Sequence, residues 1–228
     1  MPAISSFRSN APPRLPTPGR PTGDEGLPPT QLRGDDPDDD ASAARPVFPP
    51  AILATLLLIA SDIMLFVGLM FAFWVLRLAA PVWPPPLQPR LPLGVTAVNT
   101  LVLLGSSAAV ALAVRALGPR DRVALVRRLS VGALLGGLFL VIQGYEWVRL
   151  IEFGLTVSSG IYGALFYTLI GAHAAHVLAA LAWLGITLAA ASRGRFADGH
   201  TAPLRACAIY WHFVVALWPA LYVSVYLG

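Results

Sequence analysis

GIYGALFYTLIGAHAAHVLAALAWLGITLAAA, residues 160–191, decides the fold. It holds no Asp, Glu, Lys or Arg, yet it carries His173 and His176 near its middle. At about 1.5 Å of rise per residue a helix of this length covers ~48 Å, more than the ~30 Å hydrocarbon core needs. It is too short for two spans and a turn, so it reads as one long membrane helix, tilted or protruding. Imidazoles inside such a helix face protein rather than lipid, and the remaining helices are expected to pack round that face.

Four more apolar spans surround it. Ala51–Leu76 has one charge, Asp62; Leu91–Val114 has none; Leu129–Val148 holds only Glu146; Ala206–Gly228 has no charged residue but contains His212 and Pro219. Each is long enough to cross a bilayer. The expected architecture is an all-α polytopic membrane protein with five transmembrane helices over residues 49–228. Overall composition agrees: 56% of the 228 residues are hydrophobic and 12% charged, about half the charged share of an average soluble domain.

Residues 1–48 differ from the rest. They are rich in Pro, Gly, Ser and Asp and include the run Asp35, Asp36, Asp38, Asp39 and Asp40. Such a segment buries too little apolar surface to offset its ordering entropy, so it is expected to be a disordered, solvated cytoplasmic tail. It also lacks the apolar core of a secretory signal. All positive charge comes from Arg. Thirteen arginines fall on the side of the N-terminus and three (Arg77, Arg90 and Arg149) on the other. That bias puts the N-terminus in the cytoplasm and the C-terminus outside. It also explains the net charge of +4 without nucleic acid. Between the first two spans, residues 80–92 hold six prolines, read as a stiff cap on the outer surface.

The polar residues within the spans are Asp62, Asn99, Gln143, Glu146, His173, His176 and His212. Leaving a carboxylate or imidazole unpaired in hydrocarbon costs several kcal/mol, so each needs a partner or must be neutral. With helix starts near Ala51, Leu129 and Arg205, Glu146 and His173 both lie about 25 Å from the cytoplasmic helix ends. Glu146 is therefore expected to bond His173 or His176, and Asp62 to reach His212 or a neighbouring hydroxyl. These groups read first as interhelical ties, worth roughly 0.6–2 kcal/mol each, and second as a proton-linked network. Gly132, Gly136, Gly163 and Gly171 read as small residues that let helices approach closely, as do Ser107 with Ala111. Cys207 alone makes no disulfide framework. No phosphate loop, nucleophile elbow, CxxC or HExxH is present, so no catalytic residue is assigned. No converging set of ligands marks a metal site.

Several strings taken in order resemble one family, subunit III of the haem–copper respiratory oxidases (cytochrome c oxidase). Ser61-Asp62-Ile63-Met64 with Phe66 is similar to its Ser-Glu helix. Trp83-Pro84-Pro85, then Asn99-Thr100 with Leu103-Leu104, resemble its Trp-Pro-Pro loop and Asn-Thr helix. Gln143 with Glu146-Trp147 resembles Gln-x-x-Glu-Tyr. Ser159-Gly160-x-Tyr162-Gly163, followed by Gly171-x-His173-x-x-His176-Val177, resembles its longest signature, and Tyr210-Trp211-His212-Phe213 its last. There are departures: Asp62 stands for Glu, Val215 for an Asp, Arg205 for a common Glu, and there are five spans rather than seven.

The resemblance implies a subunit with no redox centre or cofactor of its own, the haems and copper lying in partner subunits. It implies contact with the catalytic subunit I and with subunit II, and only indirectly with cytochrome c or another donor. It further implies an aa3-type, oxygen-reducing and proton-translocating complex in a bacterial-type inner membrane, whose proton uptake this chain supports. It also implies bound phospholipid in a cleft, here between spans one and two and spans three to five. The rival readings are an accessory protein of nitric oxide reduction, a b-type cytochrome with haem between His176 and His212, and a proton channel lined by Asp62 and Glu146.

Overall fold

The computed structural model describes residues 49–83, 85, 93–116, 121–196 and 199–227. The tail 1–48 and most of the proline-rich connection lie outside the described residues. Five α-helices follow one another: α1 (Pro50–Ala79), α2 (Leu93–Arg115), α3 (Arg122–Glu152), α4 (Ile161–Ser192) and α5 (Ala202–Tyr222), the last running into one π-helical turn, Val223–Leu227. No strand occurs among the described residues. All five helices are long and apolar enough to cross a membrane.

The helix ends follow from local chemistry. Pro50 opens α1, where its missing N–H leaves nothing unsatisfied. Pro81 closes it by forcing Ala80 into extended backbone (φ −76°, ψ 132°). α3 stops at Gly154, whose φ of 89° suits glycine. There Leu155 N–H donates to the Leu150 carbonyl and Gly154 N–H to that of Ile151, both at 2.9 Å. Leu150 and Leu155 are both buried in the core, the apolar pair that accompanies this type of helix stop. α4 ends the same way at Gly194, and there the Arg122 guanidinium reaches across to the Ser192 carbonyl. Pro219, inside α5, removes one backbone donor just before the chain turns π-helical.

A glycine pair separates backbone from packing effects. Nothing lies within 4 Å of a Cβ added at Gly154 or at Gly144 in mid-α3. Gly154→Ala is expected to cost about 1–2 kcal/mol through its positive φ alone. Gly144→Ala should be neutral or stabilising by up to ~1 kcal/mol. Thermal unfolding midpoints of the two variants in the same detergent check this.

Packing follows a seven-residue rhythm. The buried face of α3 is Leu125, Leu129, Gly132, Gly136, Phe139, Gln143, Glu146 and Leu150, in alternating strides of four and three. α4 buries Phe166, Ile170, His173, Val177, Ala180, Leu184, Thr187 and Ala191 in the same rhythm. This is the knobs-into-holes spacing of helices wound about one another. α2 pairs most extensively with α3, and α5 is central, touching α1, α2 and α4. A cleft dividing α1 and α2 from α3–α5 is therefore not what the packing shows: α2 and α3 form the tightest pair. α1 is peripheral, burying only Thr55, Asp62, Phe66 and Phe73 against its neighbours.

Candidate functional site

Of the polar residues picked from the sequence, Asp62, Asn99, Gln143, His176 and His212 make contacts that tie two elements. On α1, Asp62 accepts a hydrogen bond at Oδ2 from the Tyr210 hydroxyl of α5 (3.1 Å). Its Oδ1 lies 3.5 Å from Nε2 of His176 on α4. The other ring nitrogen of His176, Nδ1, is 2.7 Å from the Ala172 carbonyl, one turn back on the same helix. Phe66, one turn beyond Asp62, meets the His176 ring edge-on with centroids 5.1 Å apart. One carboxylate thus joins α1 to both α4 and α5. Its hydroxyl partner is Tyr210, while His212, the alternative expected from the sequence, bonds elsewhere.

His212 of α5 meets the Ser107 hydroxyl of α2, with Nδ1 and Oγ 2.6 Å apart. Ser107 therefore holds a polar tie rather than merely permitting close approach. Two turns back along α2, Asn99 donates from Nδ2 to the Phe139 carbonyl of α3 (3.1 Å). Thr100 Oγ1 accepts from Trp218 Nε1 of α5 (2.8 Å) and donates to the Thr96 carbonyl. Gln143 of α3 donates to the Tyr226 hydroxyl in the π-helical turn (3.3 Å).

The expected bond between Glu146 and His173 or His176 is not made. Glu146 instead faces Arg149 of its own helix at 3.6 Å. The two histidines are turned elsewhere: His176 towards Asp62 and His173 onto the Trp218 indole. His173 has no hydrogen-bond partner at either ring nitrogen among the described residues. It lies against the Trp218 indole, centroids 5.0 Å apart and planes 26° from parallel, with the Phe66 ring edge-on at 6.4 Å. It is thus a packed aromatic surface in this arrangement.

The four glycines divide. A Cβ on Gly132 would sit 2.7 Å from Val110 Cγ2 and 3.3 Å from the Ser106 carbonyl, so α2 and α3 meet there backbone to backbone. At Gly136 the space is filled by the Trp211 ring of α5, 2.5 Å from such a Cβ. Gly163 does not serve a neighbouring helix. Its crowding comes from the Thr156 carbonyl and Ser159 hydroxyl in the turn before α4. Gly171 is in ordinary contact with Trp147 at 3.8 Å, so close approach does not require glycine there.

Tyr210, Thr100, Ser107, Trp218 and Tyr226 are the partners sequence reasoning did not pick out. Tyr210 and Thr100 were visible only within the family-like strings, and Ser107 only as a small residue. No three of His, Cys, Asp and Glu converge to hold a metal ion among the described residues. Both ring nitrogens of His176 face acceptors, so an iron ligand there would have to displace Asp62 or the Ala172 carbonyl.

Residues 47–228 match the family described as Cytochrome c oxidase subunit III. Relatives named cytochrome c oxidase subunit 3 include that of Sus scrofa, 34% identical over 177 residues, covering 75% of this chain and 67% of the relative. That of Marchantia polymorpha is 36% identical over 179 residues (75% and 66%). That of Corynebacterium diphtheriae is 36% identical over 129 residues (57% and 63%). The chain thus spans about two thirds of the length of the curated relatives it matches. With the family match running from before the first helix to the end of the last, the chain belongs to the cytochrome c oxidase subunit III family.

Proposed function

We propose that this chain is the non-catalytic subunit III of an aa3-type terminal oxidase. In that role it braces the haem- and copper-bearing subunit I beside subunit II, and supports proton uptake without a redox centre of its own. The observation that carries this reading is how the buried polar groups are used. Asp62, Asn99, Gln143 and His212 each bond a neighbouring helix, and Glu146 faces its own Arg149. Groups spent on holding helices together are matched to a scaffold. The electron donor, cytochrome c or another, would act on the partner subunits.

The membrane supplies the second part of the proposal. Leu57, Met64, Phe71 and Leu78 fall seven residues apart on α1 and are all well exposed. This apolar stripe is suited to phospholipid acyl chains. The end where α2 meets α3 and α4 meets α5 carries Arg115, Arg122, Arg127, Arg128, Arg193, Arg195 and Arg205. The opposite end of the described helices carries Arg77 and Arg149. That asymmetry supports placing the N-terminus on the cytoplasmic side of a bacterial-type inner membrane.

The test is oxygen consumption by the oxidase prepared with and without this chain. Initial turnover is expected to be retained without it, while activity decays several-fold faster during sustained turnover. Equal decay in the two preparations contradicts the supporting role.

A further inference from the structure

His176 lies between two acceptors. Its Nδ1 is 2.7 Å from the Ala172 carbonyl, and its Nε2 is 3.5 Å from a carboxylate oxygen of Asp62. A neutral imidazole carries one N–H and one lone pair, so it can satisfy only one of these contacts. The other would set a lone pair against oxygen lone pairs in a poorly solvated place. With its one proton on Nδ1 towards Ala172, a neutral His176 leaves an ionised Asp62 as a buried charge with only the Tyr210 hydroxyl donating to it. Adding one proton resolves both conflicts. On His176 it gives an imidazolium that donates to both acceptors; on Asp62 it gives a carboxylic acid that donates to Nε2.

We propose that Asp62 and His176 form a one-proton site that clasps α1 to α4, and that losing this proton loosens α1. The fold makes the consequence mechanical. α1 is the peripheral helix, and among the described residues Asp62 supplies its only side-chain hydrogen bond or ion pair to another helix. Its other buried side chains are Thr55, which bonds its own helix, and two phenylalanines. The Tyr210 hydroxyl remains bonded to the carboxylate in either proton position. His176 keeps 21% of its side chain exposed and Asp62 9%, so the pair lies at the surface of the bundle rather than sealed in its centre.

The titratable groups around the pair are few. α4 also brings His173, three residues from His176, and α5 brings Tyr210. His212 is turned to Ser107, and Arg77 of α1 lies fifteen residues beyond Asp62, ~22 Å along the helix. Among the described residues, no cation besides the imidazole itself stands ready to replace the lost proton.

The test uses the full chain in lipid nanodiscs, with spin labels at Met64→Cys of α1 and Leu178→Cys of α4. Both positions are exposed, and the one native cysteine, Cys207, is buried. As pH rises, the inter-label distance distribution should broaden and lengthen. In parallel, ¹⁵N-histidine spectra should lose the doubly protonated His176 ring, or infrared spectra the Asp62 carboxylic acid band. Asp62→Asn places an amide that donates to neutral His176 while still accepting from Tyr210. It should keep the short distance at every pH. Asp62→Ala should show the long distance at every pH. A singly protonated His176 beside an ionised Asp62 throughout the titration overturns the proposal. So does an Asp62→Asn chain that opens with pH as the parent does.

Discussion

Trp218→Ala is expected to lower the stability of the isolated chain by about 3–5 kcal/mol, the range for deleting a large buried aromatic. Trp218 is fully buried, with no exposed surface. Its indole stacks on His173 at 5.0 Å and meets Phe139 and Tyr226 edge-on at 5.1 and 6.3 Å. Its Nε1–H is spent on Thr100. One side chain of α5 therefore touches α2, α3, α4 and the π-helical turn. Lipid gives no hydrophobic drive between helices, so what is lost is dispersion and fit, and the cavity cannot close without moving several helices. Trp218→Phe keeps most of the ring and loses the N–H donor, so its cost should fall to roughly 1 kcal/mol. Reversible unfolding by denaturing detergent distinguishes the two. A Trp218→Ala chain as stable as Trp218→Phe would mean that this contact set is not holding the bundle.

Gly136→Ala should be the second most disruptive change, although it adds a single methyl. That carbon would lie 2.5 and 2.7 Å from two Trp211 ring atoms, well inside contact distance. Trp211 is 1% exposed and has little room to withdraw. Overpacking of this kind costs about 1–3 kcal/mol. The adjacent residue is the control: a Cβ at Gly137 meets only Leu181 Cδ2 at 4.0 Å, so Gly137→Ala should be neutral or stabilising by up to ~1 kcal/mol. Adding Trp211→Phe to Gly136→Ala shortens the ring that clashes and should recover part of the loss, a coupling that a double-mutant cycle reads directly. Independent, additive effects of the two substitutions would place the strain elsewhere.

The number and kind of helices were legible because a nearly uncharged run of about twenty residues or more is long enough to cross the hydrocarbon core. Their ends were less so. Arg127 and Arg128 looked like the loop before the third span, yet α3 continues through them back to Arg122. A long cationic side chain at the interface can bury its stem and keep its head wet, so charge marks the membrane boundary and not the helix boundary. α5 likewise begins at Ala202, with Pro203 in its first turn, ahead of the apolar run that announced it.

The partners of the buried polar groups depend on how each helix is rotated about its axis, which the sequence does not give. Glu146 faces Arg149, and His173 faces the Trp218 indole. The sequence marks Asp62 and His176 as buried, but not that one faces the other. At Gly136 the small residue was visible, whereas the indole that fills its space comes from a helix seventy-five residues away.

The most direct measurement is purification of the tagged full-length chain from its own membrane in mild detergent. The proteins it carries are identified, and a visible spectrum is taken before and after it is stripped from them. The predicted result is a haem-bearing polytopic partner in the first preparation and a colourless chain in the second. Haem absorbance retained by the stripped chain, or oxygen reduction by it alone, would contradict the account.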